Sequence, residues 1–248
     1  MRPENTLPAF EYAIEQGVDA LELDMAVTKD NVIVVSHDPV LHGPVCSGPA
    51  ERAVIHDLTL AEVKKWDCGA KQNPAFPKQQ AVPGTRMPTL DEVFALAPKG
   101  RFPFNIETKS FPDRPELTPP PEVFAQLVLE VVRKHRLEQR VILQSFDFRT
   151  LHAMKKLAPE IALAALYEGP AKDFVAIGKE AGANIVSPAF ALVTPEQVKA
   201  AHAAGFQVLP WTANRPDDWS RLVSAGVDGI ITDDPAALIA WFKSRKSW

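Results

Sequence analysis

Cysteine is almost missing from this chain, and long apolar runs and a basic excess are missing altogether. Only Cys46 and Cys68 occur, with neither CxxC nor zinc-ligand spacing, which excludes a disulfide-rich scaffold and a cysteine-based zinc site. They read as two unrelated thiols. A disulfide stapling the segment between them is the alternative, and it would imply an oxidising compartment. No stretch approaches the roughly 18 consecutive apolar residues of a membrane span, and the longest runs, such as residues 161–167, have the length of a strand. The opening Met1-Arg2-Pro3-Glu4-Asn5-Thr6 has no apolar core and does not read as a signal peptide. Lysine and arginine number 27 against 31 acids, a net charge of -4. A nucleic-acid partner is therefore not expected, because it would require a clustered basic surface. Small anionic substrates stay open, since one lysine or a bound cation can meet them.

What is present is a regular alternation. The chain has 248 residues, 46% of them hydrophobic, which suffices for one large core and is typical of a single α/β barrel domain over 1–248. Strands are expected at residues 20–27, 32–36, 102–107, 141–145, 161–166, 184–187, 207–212 and 229–232. Most are apolar on both faces, the mark of buried parallel strands. Between them lie helices with readable ends. Thr89 with Glu92 forms a capping box for a helix over 90–97, and Thr194 precedes Pro195 with Gln197 three residues on. Glu180-Ala181-Gly182-Ala183, Ala203-Ala204-Gly205-Phe206 and Ser224-Ala225-Gly226-Val227 recur at about 20-residue spacing, each a helix ending on glycine before a strand. A (β/α)₈ barrel is the closed form of that series. Residues 39–87, rich in Pro, Gly and Lys with one short helix near Thr59, read as an inserted subdomain. Leu58, Leu60, Val63 and Trp66 argue that it is packed. Residues 110–121 form a second proline-rich excursion.

Within Leu21-Glu22-Leu23-Asp24-Met25, strand alternation puts Glu22 and Asp24 on one face. Two carboxylates on an apolar strand are costly to bury without a cation, although an edge strand could turn both to solvent. The turn Thr28-Lys29-Asp30-Asn31 and the strand Val32-Ile33-Val34-Val35-Ser36-His37-Asp38 make a hairpin that brings His37 to about the level of Asp24. A histidine there is a candidate acid–base group or metal neighbour. Glu107 and Lys109 stand two apart at the end of another strand, where barrels carry their active sites. They could simply pair with each other. Joined to Glu22 and Asp24, however, Glu107 completes an all-oxygen set suited to a divalent cation such as Mg²⁺ or Ca²⁺, and Lys109 offers a point charge to a phosphate. Later strand ends carry Gln144 and Phe146, Trp211 and Asn214, which can grip a small polyol or lipid headgroup. Plain rim packing would also account for Phe146 and Trp211, and helix capping before Pro235 for Asp233.

The run Arg2-Pro3-Glu4-Asn5-Thr6-Leu7-Pro8-Ala9-Phe10, followed by Leu21-Glu22-Leu23-Asp24, Thr28-Lys29-Asp30 and Ser36-His37-Asp38, closely resembles the N-terminal signature of glycerophosphodiester phosphodiesterases. Asn105-Ile106-Glu107-Thr108-Lys109, Gln144-Ser145-Phe146-Asp147, Trp211-Thr212-Ala213-Asn214 and Gly229-Ile230-Ile231-Thr232-Asp233 are similar to the family's later motifs, in the same order. The resemblance implies an α/β barrel with a small insertion after the histidine. It implies that Glu22, Asp24 and Glu107 bind a divalent cation, and that His37 is one of two catalytic histidines. It implies further that Lys109 contacts the phosphodiester and that Glu4 supports the site. The expected reaction is hydrolysis of a glycerophosphodiester to glycerol 3-phosphate and an alcohol. A phospholipase D-like action on lysolipids or sphingomyelin is one alternative, and a silent phosphodiester-binding barrel is another. In the family a strand ending in His-Arg-Gly precedes the Pro-Glu-Asn-Thr block, whereas here the text begins at Met1-Arg2-Pro3. The expectation is thus a truncated chain without the first barrel strand and first histidine, inactive or nearly so. Periplasmic or secreted location stays open, because the same truncation would remove an export signal.

Overall fold

The computed structural model describes residues 1–245 and has two compact units, Met1–Val141 and Ile142–Trp248. In the first unit, α1 (Leu7–Gln16) leads into β1 (Leu21–Val27) and β2 (Ile33–Val35). β1 pairs antiparallel with β2, Met25 opposite Val35, and parallel with β5 (Phe104–Thr108), Asp24 opposite Glu107. The β1–β2 turn closes because Asn31 accepts a left-handed backbone, φ 61°, which asparagine tolerates better than most residues. β5 is buried on both faces, as a central parallel strand should be. Thr89 and Glu92 form the expected capping box on α3, but α3 (Leu90–Phe94) is shorter than expected, and a 3₁₀ turn at Ala97–Lys99 follows. α4 (Pro121–His135) turns its apolar stripe Phe124, Ala125, Val128, Leu129 and Val132 inward.

Residues 39–87 hold a small antiparallel sheet of β3 (Val40–His42) and β4 (Arg52–Val54), and one short helix, α2 (Leu60–Val63), capped by Thr59. Leu41, Ile55, Val63, Trp66 and Met87 form a cluster that also takes in Ala26 of β1 and Val34 of β2. The segment therefore packs on the hairpin rather than hanging free of it. A Cβ on Gly48 would lie 2.2 Å from the Trp66 ring, so only glycine permits that approach. The reading of Cys46 and Cys68 as unrelated thiols is corrected. The two are joined in a disulfide, with their Cα atoms 4.0 Å apart. Sequence spacing had no bearing on this, because bridging depends on where the backbone brings the two Cβ atoms.

The second unit repeats strand and helix: β6 (Val141–Ser145, starting at the boundary), α5 (Phe148–Leu157), β7 (Ala162–Tyr167), α6 (Phe174–Ala181), β8 (Ile185–Pro188), α7 (Pro195–Ala203), β9 (Gln207–Val208), α8 (Pro216–Ala225) and α9 (Pro235–Ser244). β6, β7, β8 and β9 pair in that order, all parallel. Thr194 caps α7, and Gly182 and Gly226 end α6 and α8 with left-handed backbones. Two expected strands differ. Residues 207–212 keep only Gln207–Val208 as strand, and residues 229–232 form none, although Ile231 N still donates to the Pro210 carbonyl and Ala213 N to the Ile231 carbonyl. Pro210 has no N–H, so the ladder between these segments lacks a donor and stays irregular. Among the described residues no helix is long and apolar enough to cross a membrane.

Candidate active site

Because β1 and β5 run parallel with Glu22 opposite Asn105 and Asp24 opposite Glu107, alternation turns Glu22, Asp24, Asn105 and Glu107 to one face. Carboxylate oxygens of Glu22, Asp24 and Glu107 lie within 4.8 Å of one another, with Asp24 and Glu107 buried and Glu22 half-buried. Lys109 extends the same face just past β5, its N–H donating to the Met25 carbonyl at 3.1 Å. Its Nζ stands 3.1 Å from Asp24 Oδ1 and 2.9 Å from Glu107 Oε1.

Burial and crowding set the electrostatics. The Glu107 carboxyl is pushed up to about 7, first by burial and then by the charge of Asp24, with Lys109 only partly offsetting both. Burial pushes Asp24 the same way, yet Lys109, His37 and Asn5 together outweigh it and hold this carboxyl below the usual range. For Lys109, burial works against the ammonium, but Asp24 and Glu107 win and raise it. Among these four groups carboxylates outnumber the ammonium three to one, a donor set that fits a hard divalent cation.

One residue of the set was not singled out from the sequence. Asn5 Nδ2 donates to Asp24 Oδ2 at 2.8 Å, and its Oδ1 accepts from Asp24 N at 3.1 Å. Asn5 is held with φ 54° just ahead of α1. The signal was its place beside Glu4 in a proline-punctuated turn ahead of α1. Glu4 itself lines a small cavity with Pro44, Val45, Lys71, Asn73 and Gln79.

The hairpin register, fixed by Ser36 N donating to the Asp24 carbonyl at 2.9 Å, puts His37 one step past the level of Asp24. Its side chain is 61% exposed, and its Nδ1 lies 2.9 Å from Asp38 Oδ1. That bond raises the imidazole, helped by Asp24 and opposed by burial and by Lys109. The other carboxylate oxygen, Asp38 Oδ2, lies 3.1 Å from His42 Nε2, and His42 Nδ1 is 2.8 Å from the Gly43 carbonyl.

In the second unit, Phe146 is 40% exposed, and its ring meets that of Trp211 edge to face at 5.4 Å. Trp211 Nε1 donates to the Ser187 carbonyl at 2.8 Å. Gln144 is buried on β6. Asn214 ties down the segment after residue 231, donating to Asp233 Oδ2 at 2.6 Å and accepting from Thr232 Oγ1 and Asp233 N. The cap of α9 is Asp234, not Asp233.

The profile of the glycerophosphoryl diester phosphodiesterase family matches residues 1–237. A glycerophosphodiester phosphodiesterase of Caldanaerobacter subterraneus subsp. tengcongensis is 36% identical over 237 residues, covering 96% of this chain and 91% of its own length. A namesake from Bacillus subtilis is 32% identical, covering 94% of this chain and 80% of its own. The crystal structure of a candidate glycerophosphoryl diester phosphodiesterase from Silicibacter pomeroyi superposes with a TM-score of 0.90 at 31% identity, over 98% of this chain and 89% of that one. The fold class is accordingly the α/β barrel type of these enzymes.

Proposed function

This chain belongs to the glycerophosphoryl diester phosphodiesterase family, and from that premise we propose how its residues divide the work of hydrolysing a glycerophosphodiester to glycerol 3-phosphate and an alcohol. The reaction is that of a phosphoric diester hydrolase, and it depends on a divalent cation. The observation that carries the assignment of roles is the three-carboxylate cluster with Lys109 set against two of its members.

Glu22, Asp24 and Glu107 would hold the cation, and their all-oxygen set favours Mg²⁺ or Ca²⁺. When bound, the cation supplies Lewis-acid polarisation of the phosphoryl group. Asn5 holds the Asp24 carboxylate with its Nδ2 and the Asp24 backbone N–H with its Oδ1, so that ligand needs little reorganisation. Lys109, already braced by Asp24 and Glu107, is directed to a phosphate oxygen and offsets the charge that grows there in the transition state. His37, with Nδ1 engaged by Asp38, has Nε2 left to exchange the proton of the attacking or departing oxygen. Phe146 and Trp211 form the aromatic surface, and Gln144 and Asn214 the polar groups, that we assign to the substrate's glycerol or alcohol part. Glu4 is read as supporting the site, and residues 39–87 as a subdomain inserted into one barrel domain over 1–248.

Titration calorimetry with Mg²⁺ and Ca²⁺ tests the metal assignment. Glu22→Ala and Glu107→Ala are expected to abolish binding, and unchanged binding in both would overturn it. Hydrolysis of glycerophosphocholine measured beside lysophosphatidylcholine tests the substrate, and a strong preference for the lysolipid would replace the glycerophosphodiester reading.

A further inference from the structure

Asp38 touches two imidazoles, one on each oxygen. We propose that Asp38 is the positioning residue for His37 and that His42 is the arm that locks Asp38 in place. The proposal rests on the assignment of His37 as the proton-exchanging group. In a neutral imidazole one nitrogen carries hydrogen and the other accepts. A carboxylate only accepts, so the 2.9 Å contact to His37 Nδ1 selects the tautomer with hydrogen on Nδ1 and a bare Nε2. That tautomer suits a base at Nε2. When His37 is charged, the same contact stabilises the imidazolium and so serves the acid role equally.

The His42 side is more constrained. Nδ1 faces the Gly43 carbonyl at 2.8 Å and Nε2 faces Asp38 Oδ2 at 3.1 Å. Both partners only accept, so making both bonds requires His42 to carry hydrogen on both nitrogens, as an imidazolium. The Gly43 carbonyl and Asp38 favour that cation, while Arg52, opposite His42 in the β3–β4 register, works against it. Asp38 is left ionised between two donors and is depressed to about 2, chiefly by the His37 bond. Its carboxylate plane is fixed at both ends. His37, on an exposed side chain that would otherwise sample several rotamers, inherits that orientation. His42 is itself anchored, because its carbonyl accepts from Cys46 N at 3.0 Å and Cys46 is tied to Cys68.

The test compares Asp38→Ala, Asp38→Asn and His42→Ala with the wild type, using glycerophosphocholine and saturating Mg²⁺. Asp38→Ala is expected to lower kcat on the order of 10²-fold, within the range attributed to acid–base groups, with KM changed less than about threefold. Asp38→Asn keeps an oxygen that accepts from Nδ1 and should recover part of the rate. His42→Ala is expected to lower kcat by about three- to tenfold, since it loosens Asp38 without removing it. The readout that mere structural damage would not move is ¹⁵N NMR of the His37 ring at about pH 9, where imidazole is neutral. The wild type should show hydrogen on Nδ1, and Asp38→Ala should shift it toward Nε2. A wild-type His37 with hydrogen on Nε2 would overturn the proposal, even if Asp38→Ala fails to fold. So would a wild-type kcat in Asp38→Ala. Full activity in His37→Ala would instead remove the assignment of His37, and unchanged Mg²⁺ binding in Asp38→Ala separates both from damage to the carboxylates.

Discussion

Glu107 in the first unit and Asp147 in the second are buried almost equally, 7% and 5% exposed, yet their surroundings are opposite. Asp147 caps α5 and receives Arg149 N at 3.1 Å, Nε at 2.9 Å and Nη2 at 2.7 Å. It is a carboxylate with donors to spare, whose partner guanidinium reaches out to solvent. Glu107 shares a single ammonium with Asp24 and has Glu22 close by, and its carboxyl rises to about 7. Burial alone therefore does not separate a structural acid from one proposed to ligate a cation. The supply of donors does, because a deficit of positive charge is what a cation can fill.

The largest effect should come from removing the acid in deficit. Glu107→Ala is expected to cost about 10³-fold or more in kcat, equivalent to the several kcal/mol that a catalytic cation supplies, with far-UV circular dichroism unchanged. If steady-state assays show wild-type hydrolysis, the contrast with Asp147 has no functional content.

Lys109→Met comes next. It leaves two buried carboxylates facing each other, and urea denaturation without cation should show a loss of about 3 kcal/mol, the scale of breaking a buried ion pair. Saturating Mg²⁺ should return much of that loss. Equal losses with and without Mg²⁺ would mean that Lys109 is not sharing a charge deficit with a cation.

Away from both acids, reduction of the Cys46–Cys68 bridge, 22 residues apart, should destabilise the first unit by about 3 kcal/mol on the chain-entropy scale. Urea curves with and without reductant measure it. Limited proteolysis should then cut first within residues 39–87, and cutting in the second unit first would contradict the assignment.

The raised Glu107 carboxyl gives a smaller, graded effect. Below about pH 7 a cation must displace a proton from it, so affinity should fall as pH drops, by up to about tenfold per unit for one proton. Calorimetry at several pH values, in buffers of different ionisation heat, reads both the slope and the proton released. A flat profile between pH 6 and 7 would show that Glu107 is ionised before the cation arrives.

Asp147→Ala should have the smallest consequence. Loss of the cap is worth about 1 kcal/mol, visible as a modest fall in melting temperature, with Mg²⁺ binding unchanged.

Much of this was legible in the sequence because it is local. Strand alternation put Glu22 with Asp24 and Glu107 with Lys109, the turn at Asn31 announced the hairpin, and Thr89, Thr194 and the glycines marked helix ends. Less legible were the two segments around Pro210, where one missing N–H weakens a ladder that apolar pattern alone suggests. Asn5 was also hard to see because its partner Asp24 lies 19 residues away, and His42 because its bond to Asp38, four residues back, depends on the backbone bends between β2 and β3.

The sequence by itself determined which side chains share a face within each strand, since a period of two residues is a property of the extended backbone. Only the tertiary structure decided that Asp24 stands opposite Glu107, that Cys46 meets Cys68 and that one carboxylate serves both His37 and His42. The first two join segments far apart in sequence, whose geometry is set by how they pack, and the third, over one and four residues, depends on the bends at residues 37–39 rather than on a strand period.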